Sequence, residues 1–243
     1  MVFLYEEINC QEPPNYSYTT RKFIVVKATL NKTNSVLAAL RDEAWRLAEN
    51  VNPRRANNST TQRDKERLIL DAVGGLLAEK AWLIYINRLY GEGTALPTDF
   101  VSAHGQIDIQ LSNGKSIEIR SSFPRNGVKF AICHERYNFK NICKYDNLYK
   151  PSEVDKDFFG SVLFETPKEH LLHMDGDTVL YLIGGSTKAM MQNDNIAFNT
   201  SLVAEDDLTE TKTNYRVVYL KDALDMTGFE SYMESLGFSK KNG

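Results

Sequence analysis

Two carboxylates, Asp108 and Glu118, sit where apolar and polar residues alternate. The stretch reads Gly105-Gln106-Ile107-Asp108-Ile109-Gln110-Leu111-Ser112-Asn113-Gly114-Lys115-Ser116-Ile117-Glu118-Ile119-Arg120-Ser121-Ser122. Alternation of period two marks half-buried strands, and Asn113-Gly114 between two such runs signals a hairpin. The pattern also decides the register. A two-residue loop would set Ile109 against Glu118 and mix apolar with polar on each face, which the alternation forbids. A three-residue loop, 112–114, places Gly114 in the left-handed position of a bulge. It sets Ile109 opposite Ile117 and Ile107 opposite Ile119. On the other face Asp108 then lies opposite Glu118, and Gln106 opposite Arg120. Opposed Cβ atoms are roughly 4.5–5.5 Å apart, so the two carboxylates repel unless positive charge lies between them. Two candidates exist: a divalent cation such as Mg²⁺, which takes oxygen ligands, and Arg120, on the same face as Glu118.

An Asp on one strand followed, after a short turn, by Glu-X-Lys on the next resembles the PD-(D/E)XK nuclease superfamily, which includes many restriction endonucleases. The matching residues are Asp108 and Glu118-Ile119-Arg120. By order of elements the resemblance covers roughly residues 68–164. It implies a restriction endonuclease-like α/β (α+β) fold, a mixed central sheet flanked by helices. It also implies hydrolysis of DNA phosphodiester bonds by a type II restriction or phage-defence enzyme, with Mg²⁺ (or Mn²⁺) as cofactor, DNA as partner and a homodimer left open. The family often adds a Glu from the preceding helix. Glu79 is the candidate, three residues after Leu76 and four before Leu83, at the edge of an apolar stripe; its alternative is a rim residue paired with a nearby Lys. Under the resemblance Asp108, Glu118 and Glu79 hold the metal with the carbonyl of Ile119. The metal polarises the phosphate and lowers the pKa of its bound water, and Arg120 stabilises developing charge.

Two departures stand out. Ile107 occupies the place of the usual Pro. Arg120 replaces a Lys that can orient, and help deprotonate, the attacking water. Arg stays charged, so it can only position and stabilise. Both cleavage with Arg in an electrostatic role and a degenerate protein that binds DNA or a partner without cutting therefore remain open. A third reading makes the hairpin carboxylates mere partners of Arg120 and Lys115.

Other residues extend this reading. Ser121, Ser122, Arg125 and Asn126 follow the second strand and offer donors for phosphate or base edges; a polar loop shaped by Pro124 and Gly127 explains them equally well. Arg54, Arg55 and Arg63 lie in a polar segment, 53–63, that is either a phosphate contact or a solvated loop. Arg136, Lys140 and Lys144 interleave with Tyr137, Phe139 and Tyr145, a pattern that suits nucleic acid but also a solvated insertion. His104 stands near the hairpin as a candidate base. Gly184-Gly185-Ser186-Thr187-Lys188 has phosphate-loop ingredients in the wrong order.

These groups need elements to hold them. Residues 1–20 read as an irregular arm around Pro13-Pro14, and 23–30 as a strand. Ser35 caps a helix running to about residue 51, and a second helix spans about 64–90. The hairpin follows, with a third strand expected at 128–133. Residues 134–156 read as an insertion. Apolar runs at 158–164 and 179–183 fit central strands. A helix is expected within 184–193, a strand at 217–220 and a closing helix over 222–236 ended by Gly237. The whole reads as one nuclease-like domain, with 1–63 added before the core and 134–156 within it.

Composition sets the outer bounds. At 243 residues, 42% hydrophobic and 25% charged, the chain can bury a core and is not biased toward disorder. A net charge of −3 gives no basic signature for nucleic acid, though positive charge confined to one face would suffice. Cys10, Cys133 and Cys143 are odd in number and widely spaced, so no disulfide framework is implied, and Cys133, His134 and Cys143 lack a zinc-site spacing. Acidic Glu6 and Glu7 stand where a signal peptide would be apolar, and no run reaches membrane-spanning length. The expectation is a cytoplasmic protein without membrane contact.

Overall fold

The computed structural model describes residues 1–12, 17–33, 35–50, 65–98, 107–134, 139–146, 153–173, 176–202 and 212–241. Strands β1 (Val2–Glu12), β2 (Ser17–Leu30), β3 (Ala95–Pro97), β4 (Ile109–Leu111), β5 (Ser116–Ser122), β7 (Phe158–Phe164) and β8 (Thr178–Thr187) form a mixed sheet. Its order is β1-β2-β8-β7-β5-β4-β3. Only β5 and β7 run parallel; the other neighbours are antiparallel. Strands β6 (Lys140–Asp146), β9 (Ala197–Leu202) and β10 (Thr213–Tyr219) form a second, antiparallel sheet of order β6-β10-β9. The helices are α1 (Ser35–Asn50), α2 (Lys65–Tyr90), α3 (Val128–Cys133), α4 (His170–His173), α5 (Lys188–Gln192) and α6 (Met226–Ser235).

The large sheet is covered on both faces. On one, α2 packs Val73, Leu77, Trp82 and Ile86 against Ile117, Ile119, Phe158 and Leu182, with Leu40 of α1 and Phe229 of α6 in the same core. On the other, α3 sets Val128, Ala131 and Ile132 against Leu163, Tyr181 and Ile183. Beside it Phe159 packs with Cys143 and Val218 of the small sheet. Strand β7 is therefore buried at every residue, as its unbroken apolar run requires.

Several expectations change. The arm is β1 and the start of β2, a long hairpin at the sheet edge. Residues 128–133 are helical, because Val128, Ala131 and Ile132 recur at three and four, the spacing of one helix face; the helix follows Gly127, whose φ is +81°. Strand β6 arises inside the expected insertion and pairs with β10. Strands β3 and β9 had no sequence signal long enough to detect. The helix expected in 184–193 shrinks to α5, since 184–187 continue β8. Gly185 belongs there because a Cβ would lie 2.0 Å from the carbonyl oxygen of Phe159. Close strand approach, not phosphate binding, accounts for that glycine. Segments 53–63, 99–106 and 147–152 lie outside the described residues.

A polar cluster ties β1, α2 and α6 together. Tyr5 and Tyr85 both donate to Oε1 of buried Glu230, and Lys240 lies 2.7 Å from its Oε2. Burial pushes the Glu230 carboxyl up, but the hydrogen bonds from Lys240, Tyr5 and Tyr85 outweigh it and hold the group below its ordinary value. A depressed carboxyl stabilises the fold above its unfolded value, about 4.3, and that contribution is lost as pH falls through the folded value. Glu230→Gln should cost about 1–3 kcal/mol at neutral pH. The gap from the unaltered chain, read by urea denaturation, should shrink steadily from pH 5 to pH 2.

Candidate active site

The β4–β5 hairpin has the register that the alternation demands. Ile109 pairs with Ile117 and Gln110 with Ser116. The Leu111 amide donates to the Lys115 carbonyl at 2.8 Å, so 112–114 form a three-residue loop. Gly114 has φ +86°, the left-handed bulge position that glycine adopts without a steric penalty. Ile109, Ile117 and Ile119 all lie in the core beneath α2.

Side-chain alternation then decides where the polar residues go. Glu118 is in register with Phe159, and Arg120 with Ser161. Neighbours in register project to the same face, and Phe159 packs against the small sheet. Glu118 and Arg120 therefore point away from α2, into the layer between the sheets. Glu118 is 2% exposed. Its Oε1 lies 2.9 Å from Arg120 Nη1, and Arg120 Nη2 lies 3.0 Å from Oε1 of Glu153, itself buried.

Asp108 does not continue the ladder as an opposed pair with Glu118. It precedes β4 in a bend, and its Oδ2 accepts a hydrogen bond of 2.7 Å from the Ile119 amide. The carboxylate thus crosses to the backbone beside Glu118. Gln106 lies outside the described residues. Glu79, on the middle of α2, is half-buried. Burial pushes its carboxyl well up, and the negative charges of Asp108, Glu118 and Glu43 push it further. Three sequence-derived carboxylates thus share one electrostatic neighbourhood.

A residue absent from the sequence reading completes the cluster. Lys156 is 1% exposed, and its Nζ lies 3.8 Å from Glu118 Oε2. That ammonium makes no hydrogen bond among the described residues. Glu153 and Lys156 come from the coil before β7. Their spacing of three within a polar stretch gave no strand or helix signal; the one clue was their position directly before an apolar run. Burying charge is costly unless it is compensated, and here Glu118 and Glu153 are set against Arg120 and Lys156.

The oxygen donors suit a hard divalent cation such as Mg²⁺. The spacing does not present a formed cage: among the described residues, no three His, Cys, Asp or Glu side chains group closely enough to hold a metal. Glu118 is held by side-chain cations instead. The fit is one of donor chemistry alone.

The remaining expected residues divide. Ser121 and Ser122 end β5, half-buried, and Arg125 and Asn126 are exposed in the turn before α3. All four follow Arg120 off the same strand end. Lys115 pairs with Asp157 at 2.9 Å, not with the hairpin carboxylates, which removes its part in the third reading. Lys144 is engaged by Asp155 at 2.8 Å, and Lys140 lies over the Tyr219 ring. Arg54, Arg55, Arg63, His104, Arg136 and Tyr137 fall outside the described residues. Cys10, Cys133 and Cys143 are free thiols. No described helix is long and apolar enough to cross a membrane.

Comparison with known proteins finds a relative among the curated proteins. The chain is 30% identical over 164 residues to an uncharacterized protein of Methanocaldococcus jannaschii, MJECS01, a match spanning 61% of this chain and 56% of that protein. The chain thus spans little more than half the length of the curated relative it matches. No family model matches, and no solved structure matches.

A raised carboxyl destabilises the fold as pH climbs past its unfolded value, because the charged form is disfavoured in the folded state. Glu79→Gln should therefore melt above the unaltered chain in EDTA. The gap should open as pH rises above the unfolded value, about 4.3, and widen until the raised folded value is passed. Equal melting curves at every pH would show that the Glu79 carboxyl is not raised in the fold.

Proposed function

We propose that this chain is a metal-dependent nuclease of the restriction endonuclease-like type, hydrolysing DNA phosphodiester bonds. The observation that carries the reading is the β4–β5 hairpin, which sets Glu118 and Arg120 on one face and brings the Asp108 carboxylate to the Ile119 amide beside Glu118. Glu79, on the preceding helix, is the third carboxylate of the motif. A mixed sheet flanked by helices is compatible with the fold that the motif implies.

Asp108, Glu118 and Glu79, with the Ile119 carbonyl, would hold Mg²⁺ or Mn²⁺. Such an ion polarises a phosphate and lowers the pKa of bound water. The chain's own residues supply the rest. The Ile119 amide fixes the orientation of Asp108. Lys156 lies against the outer oxygen of Glu118 and supplies a lysine ammonium beside the motif, which carries Arg at the expected lysine position. Arg120 stays charged and stabilises developing negative charge. Ser121, Ser122, Arg125 and Asn126 would meet the backbone and base edges of DNA, as a restriction or phage-defence enzyme requires.

One observation favours a second reading. Both arms of the Arg120 guanidinium are occupied by carboxylates, Glu118 and Glu153. A protein that had lost cleavage and kept only binding would tolerate that neutralisation.

Plasmid and phage DNA incubated with Mg²⁺ or Mn²⁺ should be cut, and EDTA should abolish cutting. Asp108→Asn should lower the rate by at least about a hundredfold, the scale of losing a group that stabilises transition-state charge. Discrete fragments would identify a restriction enzyme. A folded protein that cuts with neither metal, and whose DNA binding ignores EDTA, supports the binding reading.

A further inference from the structure

Arg120 presents two anion-binding arms, and the two anions on them differ in origin. Glu118 comes from the same strand two residues earlier, fixed by pairing with β4 and β7. Glu153 comes from residues 153–156, which have no regular secondary structure. That coil is anchored further on, where Asp155 meets Lys144 and Gln192 and Asp157 meets Lys115 and Ser116. Glu153 nonetheless lies 2% exposed, 3.0 Å from Arg120 Nη2. The same coil carries Lys156, whose ammonium is 1% exposed and makes no hydrogen bond among the described residues. An ammonium has three donors, and leaving them unmet in the interior is costly.

We propose that Arg120 and Lys156 form a subsite for a phosphate oxyanion, and that Glu153 occupies it in the free protein as an internal anion. The subsite rests on the nucleic-acid reading only for its ligand, a backbone phosphodiester. A guanidinium arm that accepts a carboxylate accepts a phosphate oxygen with the same geometry. The incoming phosphate displaces Glu153 from Nη2, leaves Glu118 on Nη1 and gives the Lys156 ammonium an acceptor. The free protein thereby keeps its cationic pair neutralised until a polyanion competes for it, and Glu153 sets the affinity threshold.

The test measures binding, not cleavage. A labelled DNA duplex is titrated in EDTA against the unaltered chain, Glu153→Gln and Glu153→Gln/Lys156→Met, with melting curves to establish that each is folded. Glu153→Gln should bind about tenfold more tightly, the scale of one charge-assisted hydrogen bond. Its affinity should fall more steeply with salt, by about 0.9 in log–log slope for one further phosphate neutralised. The added Lys156→Met change should remove most of the gain. Inorganic phosphate should raise the melting temperature of Glu153→Gln more than that of the unaltered chain. Should Glu153→Gln not fold, the unaltered chain decides: saturating phosphate should speed amide hydrogen exchange at residues 153–156. A folded Glu153→Gln with unchanged duplex affinity and no added response to phosphate overturns the subsite, even if DNA is cut in Mg²⁺. A phosphate response in a protein that neither binds nor cuts DNA keeps the subsite and removes the nuclease reading.

Discussion

Strand β5 is buried on both faces, and its side chains must alternate between them. Ile117 and Ile119 complete the core under α2, so Glu118 and Arg120 are driven into the layer beneath the small sheet. No rotation of the strand could spare the carboxylate without exposing the isoleucines, because one residue of slip exchanges the faces. The apolar pairing that stabilises the hairpin thus places a charged pair in the interior. The surrounding structure must compensate that charge with Glu153, Lys156 and the amide that meets Asp108.

The arrangement resembles a balance of charges more than a set of isolated roles. Glu118 is compensated by Arg120 and Lys156, and Arg120 in turn by Glu118 and Glu153. Removing one member leaves another buried and uncompensated, which costs several times what the pair contributes net. Burial, and after it the negative charges of Asp108 and Glu118, push the Glu79 carboxyl well up. An external cation on one side, and an external anion on Arg120 on the other, would each relieve part of the strain.

The two sheets divide the work. The large sheet, with α1, α2 and α6, is the apolar body, and the Tyr5–Tyr85–Glu230 cluster locks its edge strand to the closing helix. The small sheet lies over the polar face of β5 and β7, where Asn141 of β6 donates to the Phe159 carbonyl at 3.2 Å and to Ser161. Asn141 and Ser161 thereby add a polar pair to a layer that Phe159, Cys143 and Val218 otherwise make apolar.

The hairpin was legible in the amino-acid sequence alone, because its register depends on nothing beyond alternation and the turn. Ile109 meets Ile117, Gly114 takes the left-handed position, and Glu118 and Arg120 share a face. The long α2 was equally legible from its periodicity. Tertiary structure decided what local pattern could not. Residues 128–133 satisfy strand composition and helix spacing alike, and packing against the large sheet chose the helix. The edge hairpin of β1 and β2 and the strand β6 owe their form to partners distant in the chain. Asp108 turned from its expected place opposite Glu118 because the Ile119 amide offered a hydrogen bond that the alternation does not encode. Lys156 and Glu153 entered the site for the same reason: they sit on a coil with no period of its own, and the charges of β5 are what draw them in.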